Sequence, residues 1–383
     1  MSKIFTRERF GTPQFIAGLL LLCFVAQCIW LMHVHPIVGG EAFRIQQGLA
    51  QLQEGRIEVT DQDRSALYYV MSATPLLFYH GATDPTSLDP WRLLARSTWL
   101  LLGIFVGASV WYVARRLYGN TGGYVALLLY CFSPVMISHA AGYDPQPETA
   151  AMWGSFGVVF TAIAVSHTLY APRHVLWNWK RILLLALSLV LAVGSQFSLI
   201  VLVPMALAFL LYLAPGRRAA ALAIFAVSCI LAFAIWSASY SFSWGAIGEA
   251  LRHARFWPEA GEALGMSFVY AGLAQLVVRT SPALVVLIPL ALIAYAAWPR
   301  TRYFGNTAPL LVVLLLVVLG LMTPHEPGRT MLLVAMPILF VFVAGVIADL
   351  AETKYRQLVI GLVAGLLGAH LVWSLSGLLR LGS

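Results

Sequence analysis

Long apolar stretches alternate with short polar breaks from residue 15 to residue 377. Each stretch of near-spanning length reads as a membrane-crossing helix. The pattern predicts about eleven transmembrane helices, roughly over residues 15–34, 97–115, 122–140, 149–170, 181–197, 199–214, 218–238, 281–297, 307–323, 330–348 and 357–377. Two stretches break the alternation, 35–96 and 239–280. In 41–54 (EAFRIQQGLAQLQE), Phe43, Ile45, Leu49 and Leu52 recur at roughly helical spacing with polar residues between them. That is the pattern of a helix lying in the membrane interface. The segment 66–81 (ALYYVMSATPLLFYHG) carries Tyr68, Tyr69, Phe78 and Tyr79 near its ends and is expected to lie flat as well. The second break contains IGEALRHARFWPEAGEALG, again amphipathic. The predicted fold class is all-α: a single polytopic membrane domain over 1–383, with outer loops at 35–96 and 239–280.

Composition supports this reading. Of the 383 residues, 60% are apolar and 10% are charged, which is outside the range of soluble globular proteins. The loops placed inside hold 14 of the 24 Lys and Arg and 3 of the 16 Asp and Glu. Basic residues therefore favour one side, as the positive-inside rule requires. Arg115 and Arg116, Lys180 and Arg181, Arg217 and Arg218, Arg300 and Arg302, and Lys354 and Arg356 punctuate that side. The expected location is the bacterial cytoplasmic (inner) membrane, with the amino terminus inside and the working face outside. The net charge of +8 is spent on topology, and no nucleic-acid partner is expected. No Asp, Glu, Lys or Arg falls in the middle of a predicted span, which disfavours a transporter. Cys23, Cys28, Cys131 and Cys229 fall inside apolar stretches at spacings that match no metal motif.

Three polar groups fall at the outer ends of predicted helices. Glu41 follows the first span. Asp144 and Glu148 occupy the turn GYDPQPETAAMW. His325, Glu326 and Arg329 occupy TPHEPGR. Each has an ordinary structural explanation. Asp144 before Pro145 suits an N-cap, Glu148 suits a helix start, Glu41 suits the start of the interfacial helix, and Arg329 suits lipid headgroups. His33, His35 and His325 could ligate a metal, but no pair has local ligand spacing, so the metal site is unknown.

Taken in order, several of these segments resemble the GT-C superfamily of membrane glycosyltransferases, especially the branch of protein O-mannosyltransferases and the lipid A aminoarabinose transferase. GGEAFRIQQGLAQLQEG resembles the family's first outer loop, and ALYYV resembles its later Pro-Pro-Leu-Tyr-Tyr element. ARRLYGNTGGYVALLLYCFSP resembles the cytoplasmic turn and third span, PETAAMWGSF the second acidic motif, and HEPGRTMLLVAMPILFVFVAG the late Arg-Tyr segment. The resemblance implies an inverting glycosyltransferase that moves a sugar from a polyprenyl-phosphate carrier to a glycan, lipid or protein acceptor at the outer face. It implies Glu41, Glu148 and Asp144 as catalytic carboxylates. It places Arg329 on the carrier phosphate, with His325, Tyr68, Tyr69 and Arg64 on the substrate. A divalent metal would fit that chemistry. The chain departs from the family pattern at Gly40, where an Asp is usual, at Arg64 to Leu67 in place of His-Pro-Pro-Leu, and at Thr330 in place of Tyr. These departures motivate the alternative of a non-catalytic GT-C-fold subunit that binds lipid or assembles an envelope complex with membrane partners.

Overall fold

The computed structural model describes residues 11–55, 62–143, 146–170, 178–256, 267–323 and 326–381. Among the described residues every regular element is a helix. In chain order these are α1 (Thr12–Val34), α2 (Gly39–Glu54), α3 (Ala66–Ala73), α4 (Pro85–Leu88), α5 (Arg92–Ala95), α6 (Ser97–Cys131), α7 (Pro134–Ala140) and α8 (Thr149–Thr168). Then follow α9 (Trp179–Ser195), α10 (Leu202–Leu213), α11 (Arg218–Ala238), α12 (Trp244–His253), α13 (Ser267–Thr280), α14 (Pro282–Ala297), α15 (Phe304–Met322), α16 (Glu326–Ala351) and α17 (Arg356–Leu381).

Seven of the described helical segments are long and apolar enough to cross a membrane, or eight if the pair α13 and α14, bent by 108°, counts as one span. The expected count of eleven is therefore not reached by length and composition. Part of the difference lies in α6, a helix of 35 residues whose backbone leaves helical geometry at Gly119 (φ 73°, ψ −168°). The Tyr130 hydroxyl donates to the Gly103 carbonyl at 2.6 Å. In a straight helix those residues would be about 40 Å apart, so the chain reverses at Gly119 into an antiparallel hairpin. A positive φ here is open to glycine at little cost. Two other expected crossings are the shorter apolar helix α9 and the segment Phe197–Leu213.

The bundle is organised around α16, whose apolar window is wholly buried against α15, α6 and α8. Small residues permit the closest approach. A Cβ on Gly154 would fall 2.3 Å from the Ala192 amide nitrogen, which locks α8 against α9. Outward-facing Phe15, Leu22, Phe105, Ile230, Ile293, Leu358 and Val372 are exposed. An apolar exterior over a packed interior is what lipid solvation requires.

The first loop forms its own small core of Ile37, Ala42, Ile45, Leu49, Ala73, Leu76, Leu88 and Ala95. As the sequence pattern suggests, 66–81 does not cross. It forms α3 and a short 3-10 turn, Thr74–Leu76, together far below spanning length. Asp84 caps α4 through the Ser87 amide at 3.2 Å. Hydrogen bonds from Thr86 and Ser87 pull its carboxyl down to about 2. In the second loop, 239–280, residues 239–256 with α12 and residues 267–280 with α13 lie within the described residues.

Candidate active site

Glu148 occupies the N-cap position of α8, but its side chain makes no capping bond. Its Oε1 instead accepts from Arg64 Nη2 and from the Thr330 hydroxyl, the latter at 3.0 Å. The Glu148 amide donates to His139 Nδ1 at 3.1 Å. Arg64 Nη2 also donates to Gln146 Oε1 at 2.7 Å, and its guanidinium lies 4.2 Å from the centroid of the Tyr68 ring. Arg64, Glu148 and Thr330 are all buried. Helices α8 and α16 thus meet a loop arginine at one charged centre.

Local backbone pairing explains why Arg64 points inward. The Ser65 amide and hydroxyl both donate to the Gly194 carbonyl, at 3.3 and 2.6 Å, and the Phe197 amide donates to the Asp63 carbonyl at 2.8 Å. On the other side the Ala66 amide donates to the Tyr240 hydroxyl at 3.2 Å. Residues 63–66 are therefore stitched to the end of α9 and to the turn after α11. The intervening arginine has little freedom to swing into solvent.

The second acidic residue has different surroundings. Glu41 accepts from Arg96 Nε at Oε1 and from Arg96 Nη2 at Oε2, both at 2.8 Å. Arg96 also donates to the carbonyls of Met32, His35 and Pro36 at 3.2, 2.9 and 3.1 Å. All five guanidinium N–H groups are thereby used. The pair ties the end of α1 and the start of α2 to the start of α6. His35 stacks on Tyr143 with centroids 4.0 Å apart, and partial burial followed by the nearby Arg96 charge holds its pKa below the usual 6.5.

An aromatic bridge joins the two ion pairs. The Tyr68 ring packs on Trp99 at 5.4 Å, and Arg44 lies 6.0 Å from Tyr68 and 5.9 Å from Trp99. Trp99 follows Arg96 by one turn of α6, and a Cβ on Gly142 (φ +66°) would press on both, 3.1 Å from Arg96 Cγ and 3.2 Å from Trp99 Cδ1. Glu41, Glu148, Arg64 and Tyr68 thus belong to one buried polar layer. Tyr69 is half-buried beside it, with its ring edge-on to Tyr68 at 5.6 Å. Arg329 is exposed, next in sequence to the buried Thr330. Asp144 and His325 lie outside the described residues. Among the described residues no group of three or more His, Cys, Asp or Glu could hold a metal.

Two participants escaped the sequence reading. Arg96 carries no local motif, and its partner Glu41 lies 55 positions away. Thr330 was visible only as a departure from a motif.

An apolar groove of about 300 Å³ opens beside this layer, lined by Val193, Gly194, Phe197, Cys229, Phe233 and Trp236 among others. Gly194 is also the residue whose carbonyl holds Ser65, so one wall of the groove is bonded to the Arg64 segment.

The fold has solved counterparts. The chain matches ArnT from Cupriavidus metallidurans in the apo state with a TM-score of 0.60 and 14% identity, over 89% of this chain and 61% of that one. The match to ArnT from the same organism bound to undecaprenyl phosphate has a TM-score of 0.61 and 13% identity, over 92% of this chain and 63% of that one. The chain has the GT-C fold. At these identities the likeness is one of fold, and the chain spans about three-fifths of the length of the structures it matches. No family model and no curated protein matches the sequence. Within the GT-C fold, the sequence-level resemblance and the architecture agree: an all-helical membrane bundle with short helices in its first loop.

Proposed function

We propose that this chain is a glycosyltransferase that takes a sugar from a polyprenyl-phosphate carrier, working at the outer face of the inner membrane. The observation that carries the reading is the buried Arg64–Glu148–Thr330 centre, whose Arg64 segment is held by the carbonyl of Gly194, a residue of the apolar groove. A lipid tail suits the groove, and the Arg64 guanidinium suits a phosphate. One of the two matched ArnT structures holds undecaprenyl phosphate, which supports this class of carrier.

In this reading Arg64 receives the carrier phosphate. Its partners include Glu148 and Gln146, and an arriving phosphate competes for the same N–H groups. That exchange loosens the carboxylate as the substrate settles. The acceptor hydroxyl then attacks the anomeric carbon from the face opposite the phosphate. A new C–O bond forms, the bond from carbon to phosphate oxygen breaks, and its electron pair leaves on the lipid phosphate beside Arg64. Glu148 takes the acceptor's proton, and the configuration inverts. Glu41, with both oxygens on Arg96, acts as a positioning residue that holds Trp99 and Tyr68 in place. Asp144 remains a candidate catalytic carboxylate, and Arg329 a candidate second cation for the carrier phosphate.

A second reading, a non-catalytic lipid-binding subunit of a membrane complex, is favoured by the engagement of both Glu41 oxygens. Both readings require the carrier to bind. Undecaprenyl phosphate should bind the purified protein, and Arg64→Gln should weaken it about 10- to 100-fold, the worth of a charged hydrogen bond. Wild-type affinity in that variant would remove Arg64 from the phosphate site.

A further inference from the structure

A second groove lies at the opposite end of the bundle from the charged centre. Helix α16 runs from Thr330, beside Glu148, to Ile347 about 25 Å further along its axis. That end packs on the α6 reversal, where a Cβ on Gly345 would fall 2.5 Å from Tyr118 Cζ. Ile347 and Ala351, with Leu128 of α6 and a stripe of α17 from Val359 to Leu371, line an apolar groove of about 440 Å³. The α17 stripe is about 18 Å long, close to the depth of one leaflet's hydrocarbon, about 15 Å. Helix α17 itself faces mostly outward, with 22% of its apolar window buried.

Charge marks one end of this groove. Arg356 stands one turn before the lining residues Val359 and Ile360, so it heads the α17 stripe. The turn between the lining residues Ala351 and Val359 also carries Lys354, whose Nζ lies 5.1 Å from the centroid of the Tyr355 ring. Lys354, Tyr355 and Arg356 are exposed. Arg115 packs on Gly123, next to the lining Tyr124, with its Cβ 3.0 Å from a Cβ placed on that glycine. The acids of this end are engaged elsewhere: Glu352 accepts from Arg300 at 2.6 Å, and Asp349 accepts from Asn306 Nδ2 at 2.8 Å. An apolar channel of leaflet depth thus ends in a basic rim. A second copy of the chain, inserted the same way, would bring the same cations to the same level, so like charges oppose self-association here. A lipid phosphate is attracted instead, and a zwitterionic headgroup, which carries a cation of its own, gains less.

We propose that this groove binds an anionic phospholipid, with one acyl chain along α17 and the phosphate at Arg356 and Lys354. The binding does not depend on the glycosyltransferase reading. The full chain, purified in detergent, would be titrated with dioleoyl phosphatidylglycerol and with dioleoyl phosphatidylcholine, and bound lipid read by native mass spectrometry. Phosphatidylglycerol should bind about tenfold or more tighter, and the double variant Lys354→Gln, Arg356→Gln should abolish that preference. Gly368 lines the groove, and a Cβ on it meets nothing within 4 Å. Gly368→Phe should therefore fold, fill the groove and weaken phosphatidylglycerol binding about tenfold or more. Arg217→Gln, in the connection before α11, and Arg64→Gln should bind phosphatidylglycerol as the wild type does. Equal affinity for the two lipids overturns the proposal, as does a preference that survives in the double variant at wild-type melting temperature. Weakening by Arg217→Gln would assign the attraction to general surface charge, and weakening by Arg64→Gln would place the lipid in the carrier's groove. Either result overturns the site, and so does a dimer that Gly368→Phe converts to monomer, which would make the occupant a second copy.

Discussion

Glu41 and Glu148 are both buried carboxylates paired with an arginine, and what else touches each pair separates their roles. Both Glu41 oxygens are held by an arginine whose five N–H groups are all used. Glu148 shares its arginine with Gln146 and gains Thr330. Breaking a buried pair from one side leaves an uncompensated charge, so Glu41→Gln should cost about 3–5 kcal/mol of stability, read from thermal or denaturant unfolding. His35 adds a pH term. Its folded pKa lies below the usual 6.5, so the unfolded chain binds more protons just below that pH. The stabilisation is complete above 6.5 and is lost as pH falls below it. Melting temperatures from pH 7.5 to 5.5 should fall more for the wild type than for His35→Phe. Glu148 was readable in the sequence because a Pro-Glu before an apolar run marks a helix start. Its lack of a capping bond was not readable, since Arg64 and Thr330 reach it from 84 and 182 residues away.

The helices themselves were readable wherever hydrophobic length decided the matter. Spans such as α1, α15 and α16 follow from apolar runs alone. That 41–54 forms a helix and that 66–81 is too short a helix to cross also followed, because amphipathic spacing and flanking tyrosines are local signals. The exact crossings were not readable around α9, α10 and the bent pair α13–α14, where packing against neighbours permits helices too short to span alone. Close approach between elements is similarly a tertiary property. Gly48 sits in an ordinary amphipathic pattern, yet it is the contact point of α2 with α3. Gly48→Ala should therefore cost about 1–3 kcal/mol by overpacking, measured by unfolding, although alanine is the better helix former. A neutral or stabilising result would mean that the two helices separate easily.

At the scale of the whole molecule, the apolar groove and the charged layer are each assembled from segments far apart in the chain. The groove gathers residues from α9, α11 and the turn after α9, and includes Gly194, whose carbonyl holds Ser65. Filling it with Val193→Trp should weaken undecaprenyl phosphate binding while leaving the melting temperature near wild type. The central claim is that Glu148 is the carboxylate that takes the acceptor's proton. Its most direct test is the release of undecaprenyl phosphate from a panel of undecaprenyl-phosphate sugars by purified wild type and Glu148→Gln of equal thermal stability. The account predicts turnover by the wild type and a loss of about 10²- to 10⁴-fold in the variant, the worth of a general base. Full turnover by the variant would contradict it.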